Sequence, residues 1–226
     1  SRTPLRISFF GGGTDFPEYF NDHDGLVVGS SVDKAIHHTI SFFSKELFGK
    51  SIRFSTSQIY YANHLDEIDH NPFREILKHF NLKSNIEVNL ASDLPSFSGM
   101  GSSSSFSVGL INCVNTFLKN KPLSKQSLAD LAITIERDTL KEYVGFQDQI
   151  FAAYGGFNVI RFSNNSYEVK PIKVCQDRVE QLFSSLFLVY TGIKRKANDV
   201  EKNKYQQLTE EKINHLKTIK EIAEEG

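Results

Sequence analysis

One stretch limits the fold more than any other. Leu94-Pro95-Ser96-Phe97-Ser98-Gly99-Met100-Gly101-Ser102-Ser103-Ser104-Ser105 separates a strand-like run from a long apolar one. Ahead of it, Ile86, Val88 and Leu90 alternate with Glu87 and Asn89, the period-two pattern of a half-buried strand. Behind it, Ser102 to Leu118 is apolar nearly all round, which predicts a helix buried on most sides. The connecting segment has the layout of an anion cradle. Its glycines let the backbone approach a ligand, successive N–H groups can converge on oxygens, and the helix start adds partial positive charge. Four serines add hydroxyls suited to phosphate or Mg²⁺. Composition alone equally allows a Ser-rich loop with an N-cap. Neither the lysine-containing loop of Walker-type nucleotidases nor the dinucleotide-binding G-x-G-x-x-G occurs.

Around this unit, Leu5 to Phe10, Leu26 to Val32, Ala35 to Phe43 and Ser51 to Ser55 read as further strands. Pro72 opens a short amphipathic helix carried by Phe73, Ile76, Leu77 and Phe80. Ser124 to Lys141 predicts a longer helix striped by Leu128, Leu131, Ala132 and Ile135. Gly155-Gly156 turns into a hairpin of Phe157 to Phe162 with Tyr167 to Lys173, and Leu186 to Tyr190 predicts another strand. A charged C-terminal helix carries Leu208, Ile213, Leu216, Ile219 and Ile222 as one stripe. Strands early and helices mostly in the middle predict an α+β layering rather than a βαβ series. The polar stretch 176–185 marks the domain boundary, dividing residues 1–180 from 181–226.

The 226 residues can bury a sizeable core, and 26 Lys+Arg against 27 Asp+Glu leave no general nucleic-acid surface. Cys113 and Cys175 have no metal-ligand or disulfide spacing around them. Of the seven histidines, none has ligand spacing, and His37 and His38 on one strand must face opposite ways. No apolar window spans a bilayer and no leader opens the sequence, so the expectation is a cytoplasmic protein with no membrane partner. The start at Ser1 and the stop at Gly226 suggest that both ends are cut. Oligomeric state leaves no trace in the text.

Two more segments can carry chemistry. Pro4-Leu5-Arg6-Ile7-Ser8-Phe9-Phe10-Gly11-Gly12-Gly13-Thr14-Asp15-Phe16 is a strand running into three glycines and a carboxylate. Consecutive glycines cost backbone entropy, so they suit a tight turn or a close approach to a ligand. In the latter case Asp15 could accept hydrogen bonds from sugar hydroxyls, with Arg6 pointing to the same place. The third segment holds Glu136 on the helical stripe and, twelve residues on, Asp148-Gln149 after a helix break at Gly145. One carboxylate for a metal and one for a hydroxyl proton would suit phosphoryl transfer, although two acids at that spacing mean nothing alone.

In this order the three segments resemble the GHMP kinases, the family of galactokinase, homoserine kinase, mevalonate kinase and phosphomevalonate kinase. Pro95-x-x-x-Gly99-Met100-Gly101-Ser102-Ser103 is similar to the family's phosphate loop, with Met100 at the usual Leu. Glu136 and Asp148-Gln149 fall on its magnesium Glu and catalytic Asp. Gly12 and Gly13 stand where galactokinases carry Glu and His, and the opening is instead similar to that of heptose 7-phosphate kinases and, less closely, to fucokinase-type enzymes. The resemblance implies a GHMP kinase fold: a ribosomal-protein-like α/β N-terminal domain followed by the start of a ferredoxin-like C-terminal domain, truncated.

It also implies ATP-dependent phosphorylation of the anomeric hydroxyl of heptose 7-phosphate, with ATP and Mg²⁺ as cofactors and a small phosphosugar as partner; the alternatives are a fucokinase-like or other sugar-1-kinase and a catalytically silent binding protein on the same fold. On this resemblance Pro95, Ser98, Gly99, Met100, Gly101, Ser102, Ser103 and Ser104 bind ATP, and Ser103 or Ser102 with Glu136 holds Mg²⁺. Asp148 and Arg6 are catalytic, and Gly12, Gly13, Thr14 and Asp15 bind the sugar. Thr191-Gly192-Ile193-Lys194-Arg195 is similar to the second-domain opening of the heptose kinases, where the basic pair could meet a phosphate. The family's C-terminal glycine-rich motif has no match, and the resemblance covers residues 2 to about 200. That implies that roughly the last third of a typical member is missing.

Overall fold

The structure, a computed structural model, describes residues 1–96, 98–189 and 208–225. Seven strands make one sheet: β1 (Arg2–Phe10), β2 (Gly25–Phe42), β3 (Ile52–Ser55), β4 (Ile59–Ala62), β5 (Ile86–Ser92), β6 (Phe157–Ser163) and β7 (Ser166–Pro171). Their order is β4-β3-β5-β2-β6-β7, with β1 paired to β2. Only β3 and β5 run parallel, so the sheet is that of an α+β fold. The two runs read as separate strands at 26–32 and 35–43 form the single strand β2. It spans 18 residues, pairing with β6 through its first part and with β5 through its last.

Helices α1 (Pro17–His23), α2 (Lys45–Phe48), α3 (Asn71–His79), α4 (Ser102–Phe117), α5 (Lys125–Ile133), α6 (Gln147–Tyr154), α7 (Gln176–Ser184) and α8 (Glu210–Glu225) complete the described elements, with a 3₁₀ turn at Leu65–Glu67. Pro72 sits in the first turn of α3, where a missing N–H costs nothing, and His70 caps it by accepting the Phe73 N–H. As the near-continuous apolar text demanded, α4 lies deep: Phe106, Leu110, Ile111 and Val114 pack with Leu5, Ile36, Phe54 and Val88 of the sheet. A Cβ on Gly109 would fall 2.5 Å from Thr3 Oγ1, so glycine there lets α4 lie close against β1.

Three sequence expectations change. The helix predicted over 124–141 stays α-helical only to Ile133 and then widens into a π-turn, Thr134–Thr139. Residues 186–189 form no strand, and the polar stretch before them is helical, as α7. Tyr190 and the 191–195 motif lie outside the described residues. In α8 the buried positions are Leu216 and Ala223, whereas Ile222, expected on the stripe, is 51% exposed.

Behind the sheet, His38 is buried with its ring 5.1 Å from that of Phe106, and neither ring nitrogen has a hydrogen-bond partner among the described residues. Burial, with smaller contributions from the Ser1 ammonium and His37, pushes its pKa down to about 3. Because that lies below the unfolded value, the neutral ring contributes stability above about pH 6.5 that is lost as pH falls towards 3. His38→Leu is expected to remove an acid-side stability loss of about 1.4 kcal/mol per pH unit. Urea unfolding at pH 7, 6, 5 and 4 checks this, and parallel wild-type and variant profiles would refute it.

Candidate active site

A cavity of about 1220 Å³ opens beside β1, the glycine turn that follows it and the N-terminus of α6. Arg6 projects from β1 into its wall. Its Nε and Nη2 both donate to Asp148 Oδ1 at 2.7 Å, Nη1 donates to the Gly99 carbonyl at 2.8 Å, and its backbone N–H donates to the Met100 carbonyl at 3.1 Å. One strand residue therefore ties the catalytic candidate Asp148 to the phosphate-loop candidates Gly99 and Met100, which also line the cavity. Asp148 occupies the first turn of α6, where the helix dipole favours a carboxylate.

Gly101 is the N-cap of α4 at φ +70°, a conformation L side chains rarely adopt. A Cβ there would also stand 3.2 Å from Arg6 Cγ and 3.3 Å from Asp148 Oδ2. The first-turn N–H groups of α4, which no helical carbonyl accepts, follow directly. Ser98 Oγ is buried without a partner among the described residues, as an orphan hydroxyl in an anion loop would be. Pro95 stands exposed at the loop's outer end, and Ser102 is partly buried in the first turn of α4.

The structure does not bring Ser103 to Glu136. Ser103 faces solvent, and Ser104, one position and roughly 100° further round the helix, donates to Glu136 Oε2 at 2.9 Å. Gln149 Nε2 donates to the same oxygen at 2.5 Å. The two members of the Asp148-Gln149 pair thus divide: Asp148 lines the cavity while Gln149 steadies a second carboxylate. Glu136 sits in the π-turn, 1% exposed, and its Oε1 has no hydrogen-bond partner among the described residues. Desolvation lifts its pKa to about 7 against the lowering effect of hydrogen bonds from Ser107, Gln149 and Ser104. A buried carboxylate with an orphan oxygen and a serine hydroxyl is a donor set that fits Mg²⁺.

Gly12 and Gly13, expected to meet the sugar, line the cavity together with Gly11. Gly11, at φ +84°, packs so close to β2 that a Cβ would fall 1.8 Å from the Leu26 carbonyl oxygen. Gly12 has room instead, its nearest neighbour being Ser8 Oγ at 3.6 Å from a built Cβ. Thr14, expected to bind substrate, is fully buried. Its hydroxyl shares its one proton between the Gly11 and Leu26 carbonyls and accepts from the Leu26 N–H, so it fastens the turn to β2 and does not line the cavity. Asp15 touches the cavity wall yet is only 1% exposed, accepting from the N–H groups of Gly13 and Gln147 at 3.0 Å each and from Gln147 Nε2 at 3.2 Å. Burial raises its pKa to about 6, with the Asp148 charge adding and those N–H donors opposing.

Gln147 lines the cavity too, and sequence reasoning missed it. The adjacency of Asp148 was the available signal. Arg137 buttresses this segment by pairing with Glu18 Oε1 at 2.6 Å, donating to the Val144 carbonyl and lying over the Tyr143 and Phe146 rings. Among the described residues no helix is long and apolar enough to cross a membrane, and Cys113 and Cys175 are free thiols.

A glycine turn opening a buried helix, an Arg–Asp pair hinged on that turn and a buried carboxylate form a set that suits phosphoryl transfer to a small molecule. Comparison with known proteins agrees. The GHMP kinases N terminal domain family matches residues 71–156. The chain is 33% identical to a D-glycero-alpha-D-manno-heptose 7-phosphate kinase of Campylobacter jejuni, over 99% of this chain and 68% of that protein. A crystal structure described as a D-glycero-D-manno-heptose 1-phosphate kinase from Bacteriodes thetaiotaomicron superposes with a TM-score of 0.69 at 26% identity. That match covers 81% of this chain and 63% of that one. Mevalonate kinase of Methanococcus jannaschii, at 19% identity, shares the fold with a TM-score of 0.66 over 100% of this chain and 71% of its own. The chain belongs to the GHMP kinase family.

Proposed function

We propose that the protein transfers the γ-phosphoryl group of ATP to the anomeric hydroxyl of D-glycero-D-manno-heptose 7-phosphate, giving the 1,7-bisphosphate. The observation that carries the reading is the Arg6 guanidinium bridging Asp148 and the Gly99 carbonyl, which sets a carboxylate and a cation beside the phosphate loop. The relative's name supports the choice of sugar. Gly12 and Gly13, with no side chains, leave space for a large acceptor.

In this reading Arg6 grips Asp148 Oδ1, so Oδ2 can accept the proton of the attacking hydroxyl, and the guanidinium offsets developing negative charge. The proton passes from the hydroxyl to Asp148 as the oxygen bonds to phosphorus and the ADP oxygen departs. Gly99, Gly101 and the α4 first turn hold the nucleotide phosphates. Glu136 with Ser104 would hold Mg²⁺, which supplies charge neutralisation between the phosphates. Little covalent help is needed for a loose transition state, so positioning and electrostatics supply most of the rate. The residue 181 boundary and the beginning of a second domain there belong to the same proposal.

Coupled ADP release by the full-length protein with Mg-ATP tests it, offering heptose 7-phosphate, unphosphorylated heptose or L-fucose. Turnover is expected with heptose 7-phosphate and at least 10-fold less with the others, since a site built for a charged group rejects its absence strongly. Preferred turnover of L-fucose would overturn the substrate, and no turnover with any sugar would overturn the enzyme.

A further inference from the structure

The β1/β2 ladder breaks register twice, and both breaks face the cavity. Pro4 pairs with Ala35 but Arg6 with Ser31, so Leu5 alone stands opposite Val32, Asp33 and Lys34. Further along, Ser8 pairs with Gly29 and Phe10 with Val28, leaving Phe9 as the extra residue. Bulges forfeit ladder hydrogen bonds and re-aim side chains, and they concentrate beside active sites. The larger one here is pinned along its length. Arg2 Nη2 donates to the Asp33 carbonyl at 2.8 Å, and the Ala35 N–H donates to Asp93 Oδ2 at 2.8 Å. Ser31 exchanges bonds with Gly156, its N–H donating to the Gly156 carbonyl at 2.9 Å and its Oγ accepting the Gly156 N–H at 2.7 Å.

From this fixed bulge Lys34 lines the cavity with a side chain 44% exposed. Its one ion-pair contact among the described residues is loose, 3.7 Å to its neighbour Asp33. Arg6, the other cation of the described lining, has its guanidinium committed to Asp148 and Gly99. Asp15, Asp33 and Asp148 also line the cavity, so a phosphorylated acceptor would bring more negative charge into an acidic space. The nucleotide's phosphates have donors of their own in the glycine turn and the start of α4. That leaves Lys34 for the acceptor.

We propose that Lys34 contacts the phosphate already present on the acceptor and so selects a phosphosugar over the free sugar. The proposal rests on the phosphosugar reading above.

Calorimetric titration of the full-length protein with heptose 7-phosphate, unphosphorylated heptose and a non-hydrolysable ATP analogue separates the cases. Lys34→Ala is expected to weaken heptose 7-phosphate binding about 10- to 100-fold, the loss of one charge-assisted contact, while the other two ligands shift less than about twofold. Lys34→Arg, which keeps the charge, should recover most of that loss. Unchanged heptose 7-phosphate affinity in Lys34→Ala, a loss confined to the ATP analogue, or a loss seen in Lys194→Ala instead would each overturn the assignment. Wild-type protein that binds both sugars equally would overturn the phosphosugar reading and the role of Lys34 with it.

Discussion

Asp148→Asn lowers turnover on heptose 7-phosphate by about 10²- to 10⁴-fold while leaving the affinity for ATP within a few fold, if the Arg6–Asp148 pair works as proposed. The substitution preserves shape and removes only the charge and the proton-accepting capacity. Asn Oδ1 can still accept from Arg6 at the 2.7 Å geometry, so the link to Gly99 survives and the phosphate loop keeps its place. What disappears is the base. Single-turnover phosphoryl transfer beside equilibrium nucleotide binding makes the separation, and turnover within tenfold of wild type would remove Asp148 from the chemistry.

The second large effect is structural and needs no substrate. Gly145→Ala places a methyl 2.0 Å from Asp15 Oδ2 and 2.6 Å from its Cγ. The backbone at 145 is not in the left-handed region, so the penalty lies in the collision rather than in φ. Asp15 cannot swing away freely, since Gly13 and Gln147 hold both its oxygens and it has almost no access to water. Restoring ordinary contact means breaking at least one of those bonds around a buried carboxyl, a cost of about 2–4 kcal/mol. For a chain of this size that lowers Tm by roughly 5–15 °C. The control is the double variant: after Asp15→Ala the methyl has space, and Gly145→Ala should then cost under about 1 kcal/mol. An equal cost in both backgrounds would show that the collision with Asp15 is not the cause.

The text of the chain displayed much of this and concealed the rest for definite reasons. The strand at 86–90 and α4 were legible because alternation and an all-round apolar run are direct consequences of half and full burial. Arg6 and Asp148 were named by pattern, and the structure brings the two into contact. By contrast β4 is an edge strand with Ile59 and Tyr61 exposed, so its apolar text carries no clean period. The π-turn at 134–139 has no residue signature; it is a matter of how one helix closes against its neighbours. Choosing Ser104 over Ser103 requires the azimuth of α4 about its axis, which four consecutive serines cannot reveal. Thr14 was assigned to the sugar on the family resemblance, and the structure instead ties its hydroxyl into the turn; Asp15 lines the cavity and also accepts the turn's N–H groups.

The long strand β2 has a consequence for the order in which the molecule can be assembled. Its pairing with β1 joins segments close in sequence, but its pairing with β6 must wait for residues 157–162, and the Arg6–Asp148 contact spans 142 residues. During synthesis β2 therefore lacks one of its partners until residues 157–162 have been made. Contacts of such separation pay loop-closure entropy late and slow folding. The loop at 94–101 and α4 are contiguous in sequence and are made well before that. On the proposed reading, a nascent chain would thus hold the loop at 94–101 before it holds the carboxylate of Asp148 beside it.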